Sequence, residues 1–341
     1  MDYVTLGRTD LRVSRICFGT WQFGGDWGQM DVERSTAAMR RALDLGINFF
    51  DTAQAYGFGD SERLVGEALK PEIQARRHEV ILATKGGLRM TDDGMARDSS
   101  PGFLRQSVEE SLGYLGTDYI DLYQVHWPDH DTPFAETAGA LEELVREGKI
   151  RHVGLSNFSA EEMEEFEGTR PIETLQPPYH LFRRDIEDDV LPWCAEHDVG
   201  LLVYGPMAHG LLSGKFDRGT QLNDDDWRSS SEIFQGESFE HNLETVERLK
   251  GFAADRNLTV AQLAVAWTIA NPAVHVAIVG ARDEGQIEGT APAGDVHLNG
   301  DDLRQIDSIM ESAVAVSGPT PEGVNVAGCT LGRRISRGAR G

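Results

Sequence analysis

Four residues suited to proton transfer follow apolar runs of the chain: Asp51, Tyr56, Lys85 and His126. Asp51 ends the run "GINFF", and Tyr56 lies in the Gly-rich turn behind it. Lys85 and His126 hold similar places in "ILATKGG" and "LYQVHWP". A phenol, with an ordinary pKa of about 10, is a poor acid near neutrality, but an adjacent ammonium group favours its phenolate.

Lys85 could supply that ammonium group, and Asp51 could keep it protonated. His126 could share a proton with Tyr56 or donate to a substrate oxygen. The set would protonate an oxygen that becomes an alkoxide, so the neighbouring carbon would need a hydride donor.

Each residue also has a purely structural explanation. A strand-end acid can cap a helix, a tyrosine can be packing, a lysine can pair with any of 56 acids, and a histidine can be a satisfied core residue. Their joint placement favours function, because the carboxyl ends of barrel strands lie on one face.

The elements that must position these residues are short apolar runs alternating with helical segments. The runs are mostly continuous, as in parallel strands covered on both faces. Eight of them recur, at residues 16–18, 47–50, 80–82, 119–125, 150–155, 174–176, 201–204 and 274–279. Asp31 and Ser61 are candidate helix caps. The pattern predicts an α/β fold, a (β/α)8 TIM barrel. A doubly wound sheet is the alternative, but no G-x-G-x-x-G follows the first strand.

No linker divides the chain, so residues 1–316 are predicted to form one barrel domain. "YVTLGRTDLRVS" reads as an N-terminal β-hairpin placed before the barrel. A long loop follows the seventh strand, at residues 205–240, and its length indicates a functional role. Residues 317–341 are expected to be a C-terminal tail that is flexible or contributes to the substrate pocket.

The composition narrows the partners. The net charge of −24 argues against nucleic acid, because phosphate binding needs positive potential. No apolar run is long enough to span a membrane, and the N-terminus lacks a secretory pattern. Three scattered cysteines (Cys17, Cys194 and Cys329) have no metal-type or disulfide spacing, so we expect no metal site and a cytoplasmic location.

The charged residues are also unusual in kind. Lysine supplies only five of the 32 basic residues. This acidic, lysine-poor composition resembles that of salt-adapted proteins such as haloarchaeal ones, in which salt screens self-repulsion. An ordinary acidic bacterial protein is the alternative. The sequence predicts no particular oligomeric state.

The motifs together resemble the aldo-keto reductases over nearly the whole chain. The segments in the family's order are "GINFFDTAQAYGFGDSERLVGEAL", "ILATKGG", "DLYQVHWPD", "GKIRHVGLSNFS", "LLVYGPMAHGLLSGKF" and "AIVGARDEGQIE". The resemblance is closest to the branch with microbial general-stress and inositol-operon reductases and potassium-channel beta subunits. It implies a barrel that binds a nicotinamide cofactor, with Asp51, Tyr56, Lys85 and His126 as the catalytic tetrad and Tyr56 as the general acid or base.

The same resemblance implies a set of cofactor contacts. Ser156, Asn157 and Gln176 would hydrogen-bond the nicotinamide carboxamide, and Tyr204 would stack under the ring. The pyrophosphate would be held by residues after the seventh strand: Gly205, Pro206, Met207, Ala208, His209, Lys215 and Arg228. The adenosine end would be surrounded by Gly280, Ala281, Arg282 and Gln286.

The cofactor expected from the family is NADP(H), with NAD(H) possible. Gly289 and Thr290 replace an acidic residue and an asparagine that are usual in relatives. Asp283 brings negative charge near the expected 2′-phosphate, which Arg282 could offset.

The predicted substrate is a small-molecule aldehyde, ketone, sugar or alcohol. Trp21, Phe58 and Trp127 are expected to line an aromatic pocket at the open end of the barrel, although packing around its mouth is the alternative.

Two other functions fit parts of the pattern. One is a cofactor-binding redox sensor or regulatory subunit of the channel beta-subunit type. The other is a Schiff-base enzyme with Lys85 as the nucleophile, which the neighbouring acid, phenol and imidazole disfavour.

Overall fold

The computed structural model describes residues 1–24, 30–92, 94–223 and 226–316. Eight parallel strands close into a barrel, which confirms the predicted TIM barrel. The barrel strands are β3 (Ile16–Gly19), β4 (Phe49–Asp51), β5 (Ile81–Gly86), β8 (Ile120–Val125), β9 (Ile150–Ser156), β10 (Thr174–Gln176), β11 (Gly200–Tyr204) and β12 (Val274–Gly280). All eight predicted runs are therefore strands, with shifted boundaries.

Helices surround the barrel and cover its outer face. In the described ranges they are α1 (Val32–Asp44), α2 (Asp60–Ala68), α3 (Lys70–Ala75), α4 (Pro101–Leu115), α5 (Phe134–Arg146), α6 (Ala160–Glu167), α7 (Val190–Glu196), α8 (Gly236–Ala254), α9 (Val260–Ala270), α10 (Glu284–Thr290) and α11 (Gly300–Met310). Asp31 caps α1 by accepting from the Arg34 N–H, as predicted. The prediction for Ser61 was wrong, because α2 begins at Asp60 and the Ser61 hydroxyl donates to Thr20 Oγ1 at 2.8 Å.

The predicted N-terminal hairpin closes the end of the barrel opposite to the strands' carboxyl ends. It pairs β1 (Tyr3–Thr5) with β2 (Arg12–Ser14) in antiparallel register. Its turn approaches the start of β11 so closely that a Cβ at Gly7 would lie 2.2 Å from the Gly200 nitrogen. Gly7 also has φ +52°, a conformation that glycine adopts without strain. The hairpin therefore covers this end of the barrel, and its apolar residues join the core inside the barrel.

Two insertions stand at the carboxyl ends of the strands. A second hairpin, β6 (Leu88–Thr91) with β7 (Gly94–Arg97), follows β5 directly and was not predicted. The segment after β11 contains short 3-10 helices at Ala208–Ser213, Trp227–Ser230 and Glu232–Phe234. The predicted loop of 205–240 was too long, because α8 begins at Gly236.

Two further predictions concern membranes and the C-terminus. In the described ranges, no helix is both long enough and apolar enough to cross a bilayer. The predicted tail at 317–341 lies outside the described residues.

Candidate active site

Asp51 and Lys85 form an ion pair inside the barrel. Each lies at the carboxyl end of its strand, and β4 and β5 are hydrogen-bonded neighbours. The Lys85 side chain is fully buried, and its Nζ lies 2.7 Å from Asp51 Oδ2. The same ammonium group donates to the Thr52 carbonyl at 3.0 Å and to Tyr56 Oη at 3.3 Å. An ammonium group has three N–H donors, and each of them has an acceptor here. The position of the Lys85 ammonium group is therefore fixed.

The second carboxylate oxygen of Asp51 is also satisfied. Oδ1 accepts from Gln176 Nε2 at 2.9 Å and from Gln124 Nε2 at 3.3 Å. A buried ion pair is stable only when its remaining polar atoms are hydrogen-bonded, and these amides meet that requirement. Sequence reasoning missed Gln124, whose only signal is a polar residue within an otherwise apolar strand.

Tyr56 and His126 face each other across the pocket. Tyr56 follows β4, His126 follows β8, and both side chains are buried. Their rings meet edge to face, with centroids 5.8 Å apart. The loop after β3 presses on Tyr56, since a Cβ at Gly24 would lie 2.9 Å from Tyr56 Cα. The structure thus brings all four predicted proton-transfer residues together.

The residues expected at the nicotinamide carboxamide form one hydrogen-bonded chain. Asn157 has a left-handed backbone with φ +64°, and its Nδ2 donates to the His126 carbonyl at 3.1 Å. Tyr204 Oη donates to Asn157 Oδ1 at 2.9 Å, and Ser156 Oγ donates to the Gln176 carbonyl at 2.9 Å. Ser156, Gln176 and Tyr204 each end a barrel strand, so these groups meet on the same face as Tyr56.

The turn after β11 has an unusual backbone. Gly205 has φ +70°, and three consecutive residues are left-handed: Ala208 at +48°, His209 at +54° and Gly210 at +100°. Non-glycine residues in this region cost of the order of 1–3 kcal/mol each and cluster where ligands bind. Pro206 and Met207 lie within the same turn. This strain is the feature of the structure that best supports a binding role for residues 205–209.

An aromatic cluster joins that turn to the loop after β3. Trp21 and Trp227 stack with centroids 5.9 Å apart, and His209 meets Trp227 edge-on at 4.9 Å. Arg228 Nη1 donates to the His209 carbonyl at 3.1 Å. The segment carrying Trp227 is therefore held against the barrel mouth.

Two arginines from distant parts of the chain influence each other electrostatically. Burial and the Arg228 charge lower the pKa of Arg282, and the Asp226 charge raises it. Asp226 pairs with Arg228 at 2.6 Å. Guanidinium groups such as these are suited to an anionic ligand such as a phosphate.

The other residues predicted to contact the adenosine or the phosphates lie in different surroundings from one another. Gln286 accepts from the Arg282 N–H at 3.0 Å and so forms part of the α10 cap. Gly280 and Ala281 contact Gln22, whose amide donates to the Ala281 carbonyl at 3.0 Å. Gln22 was not predicted. Lys215 is exposed, and no ion pair of its side chain occurs among the described residues.

The three predicted pocket aromatics do not form one cluster. Trp21 belongs with Trp227, whereas Trp127 is buried with Leu88 of the unpredicted hairpin. Ala55 and Met95 pack against that pair. Phe58 is 37 % exposed and has φ +48°.

No group of three or more His, Cys, Asp or Glu side chains in the described portion of the chain could hold a metal ion.

Comparisons with known proteins find a matching family. The model of the Aldo/keto reductase family matches residues 15–311. The aldo-keto reductase YhdN of Bacillus subtilis (strain 168) is 41 % identical over 317 residues, covering 92 % of this chain and 95 % of that protein. An NADH-specific methylglyoxal reductase of Escherichia coli (strain K12) is 32 % identical over 328 residues, covering 92 % and 99 %.

A solved structure shares the same architecture. The glycerol dehydrogenase of Gluconobacter oxydans superimposes with a TM-score of 0.85 at 38 % identity. The match covers 94 % of this chain and 98 % of that one.

Proposed function

The chain belongs to the aldo-keto reductase family of nicotinamide-dependent oxidoreductases, and we propose that it reduces aldehydes or ketones with Tyr56 as the proton donor. One observation carries the assignment of Tyr56. The buried Lys85 ammonium group lies between the Asp51 carboxylate, at 2.7 Å, and the Tyr56 phenol, at 3.3 Å. The reverse reaction, oxidation of an alcohol, uses the same residues.

The phenol works because its conjugate base is stabilised. In the reductive direction the Tyr56 O–H bond breaks and its proton passes to the carbonyl oxygen of the substrate. The phenolate left behind lies against the Lys85 ammonium, which favours the charged form. His126, edge-on to the Tyr56 ring, lines the position of the substrate oxygen.

The same geometry disfavours a Schiff-base reaction. A nucleophilic lysine must be neutral and reach the substrate. Lys85 is fully buried and donates to three acceptors, one of them a carboxylate. Its role is to hold charge beside Tyr56.

When bound, a reduced nicotinamide cofactor supplies the hydride that the carbonyl carbon accepts. Ser156, Asn157 and Gln176 would hold its carboxamide, and Tyr204 would lie under its ring. The left-handed turn at 205–209 and the cations Arg228 and Arg282 suit its phosphates.

We propose NADP(H) as the preferred cofactor. The positive charges of Arg282 and Arg228 would favour a 2′-phosphate at the adenosine end. Asp283, the acid expected to repel a 2′-phosphate, is paired with Arg34 at 3.0 Å and caps α10. Its negative charge is therefore partly compensated within the protein.

We also propose that the enzyme is cytoplasmic and adapted to salt. Cys17 and Cys194 are both buried free thiols, and burial raises the pKa of Cys194 to about 12, so it is protonated and unreactive at neutral pH. The net charge of −24 supports salt adaptation.

A cofactor titration followed by a panel of carbonyl compounds tests these proposals. In molar KCl, NADPH should bind more tightly than NADH, and it should be consumed stoichiometrically as aldehydes or ketones are reduced. Tighter binding of NADH would contradict the cofactor assignment alone. Tight cofactor binding without turnover of any compound would instead indicate a redox sensor.

A further inference from the structure

We propose that the site prefers carbonyl substrates carrying a carboxylate, which Arg97 and the indole N–H of Trp127 bind. The inference rests on the proposed reductase function and specifies its substrate class. Trp127 directly follows His126, and its ring packs with Leu88 and beside Ala55, the residue before Tyr56. The binding pair thus adjoins the proton donor.

The first observation is that the buried indole N–H of Trp127 has no acceptor among the described residues. Trp127 is only 9 % exposed, and its Nε1 has no hydrogen-bond acceptor within the described chain. Buried indole N–H groups normally have a hydrogen-bond partner, because a buried donor without a hydrogen bond destabilises the protein. A substrate atom next to the ring would supply that partner.

The second observation is an arginine without an acid. The Arg97 guanidinium lies over the Trp127 ring at 5.2 Å, and its Nη1 donates to the Pro128 carbonyl at 3.0 Å. Its Nε is enclosed and has no acceptor, and no carboxylate in the described ranges lies within ion-pair distance of it.

The neighbouring acids Asp98 and Asp129 bond to other groups, and among the described residues neither forms an ion pair with Arg97. Asp98 pairs with Arg89 of the same hairpin at 3.0 Å and accepts from the Ser100 hydroxyl at 2.6 Å. Asp129 accepts from the Ser99 N–H at 2.8 Å and from Thr132 Oγ1 at 2.7 Å. The positive charge therefore remains available to a ligand.

The chemistry of the pair points to a carboxylate. Guanidinium and indole groups are donors only, so the ligand must supply acceptors. A carboxylate presents two oxygens in the plane that a guanidinium recognises and forms stronger, charge-assisted hydrogen bonds. A neutral substrate would leave these donors unmatched, which is the basis of strong discrimination in enzyme pockets.

Two pairs of substrates of matched shape test the proposal without any substitution. Succinic semialdehyde is compared with its methyl ester, and 4-carboxybenzaldehyde with methyl 4-formylbenzoate, by kcat/KM with the preferred nicotinamide cofactor. We expect the acid of at least one pair to be favoured by about 10- to 100-fold. Equal or better use of both esters would overturn the inference and leave the reductase function standing. No turnover of any of the four would contradict that function, and the inference with it.

Substitutions then assign the preference to the pair. Arg97→Gln should lower the acid-to-ester ratio of kcat/KM by about tenfold or more, Arg97→Lys should lower it less, and Trp127→Phe should also lower it. Arg105→Gln is the control, because this α4 arginine pairs with Glu143 and Glu147 away from the hairpin, and it should leave the ratio unchanged. An acid preference that persists in a folded Arg97→Gln protein would overturn the role of Arg97.

Discussion

At the scale of single residues, the site depends on complete hydrogen bonding around one buried charge. Lys85 donates to Asp51, Thr52 and Tyr56, and Asp51 accepts in turn from Gln176 and Gln124. Every member fixes the position of the next, so the Tyr56 oxygen is held before a substrate arrives. This preorganisation is what allows a weak acid to act in catalysis.

Removing one partner should expose the cost of that charge. Asp51→Asn leaves the Lys85 ammonium buried without a counter-charge, so the free energy of unfolding should fall by about 3–5 kcal/mol. Adding Lys85→Met removes the unpaired charge and should restore most of the stability while activity stays low. Denaturant unfolding of wild type, single and double variants measures this. An Asp51→Asn protein as stable as wild type would show that the pair is not charged as described.

At the scale of elements, helix α2 carries an unusual buried acid against strand β5. Glu62 has no exposed surface, and Thr84 Oγ1 donates to its Oε1 at 2.6 Å. Burial raises the pKa of Glu62 to about 7 from an ordinary 4.5. Thr84 is the residue before Lys85, so this acid supports the wall of the active site from outside the barrel.

The titration of Glu62 should make stability depend on pH. The unfolded chain loses this proton near pH 4.5 and the folded protein near pH 7, so the free energy of unfolding should fall as pH rises through that window. Glu62→Gln cannot ionise. The free energy of unfolding of this variant, relative to that of wild type, should therefore increase by up to about 3 kcal/mol as pH rises from about 5 to about 8.

Unfolding free energies at the two pH values measure this gain. Glu67→Gln, an exposed acid of the same helix, is the control and should show no such trend. A Glu62→Gln curve parallel to wild type would contradict the raised pKa.

At the scale of the whole molecule, the barrel was predictable because its signal is repeated. Eight apolar runs alternate with helices, and each predicted proton-transfer residue lies at or after the carboxyl end of a strand, so closing the barrel brings Asp51, Tyr56, Lys85 and His126 together. The hairpin of β6 and β7 was missed because "LRMTDDGMAR" has little apolar periodicity. Arg97 was missed with it, since its position over Trp127 depends on that hairpin.

The surface charge of the whole molecule leads to a further prediction. With 56 acidic and 32 basic residues, repulsion should destabilise the folded chain in dilute buffer and be screened by salt. The unfolding temperature should rise by about 3 °C or more between about 0.1 M and 2 M KCl, as expected if screening restores roughly 2 kcal/mol. Thermal scans across the series measure it. Full stability in dilute buffer, with no gain from KCl, would indicate an acidic protein that is not adapted to salt.

The central claim is that Tyr56 donates the proton, and its most direct test is the kcat of Tyr56→Phe alongside NADPH affinity. The substitution removes one hydroxyl from the buried site, so kcat should fall by about 10²–10⁴-fold while the Kd for NADPH stays unchanged. Tyr3→Phe is the control, because Tyr3 is 40 % exposed on the hairpin at the opposite end of the barrel, and it should behave as wild type. A Tyr56→Phe protein with the kcat of wild type would contradict the account.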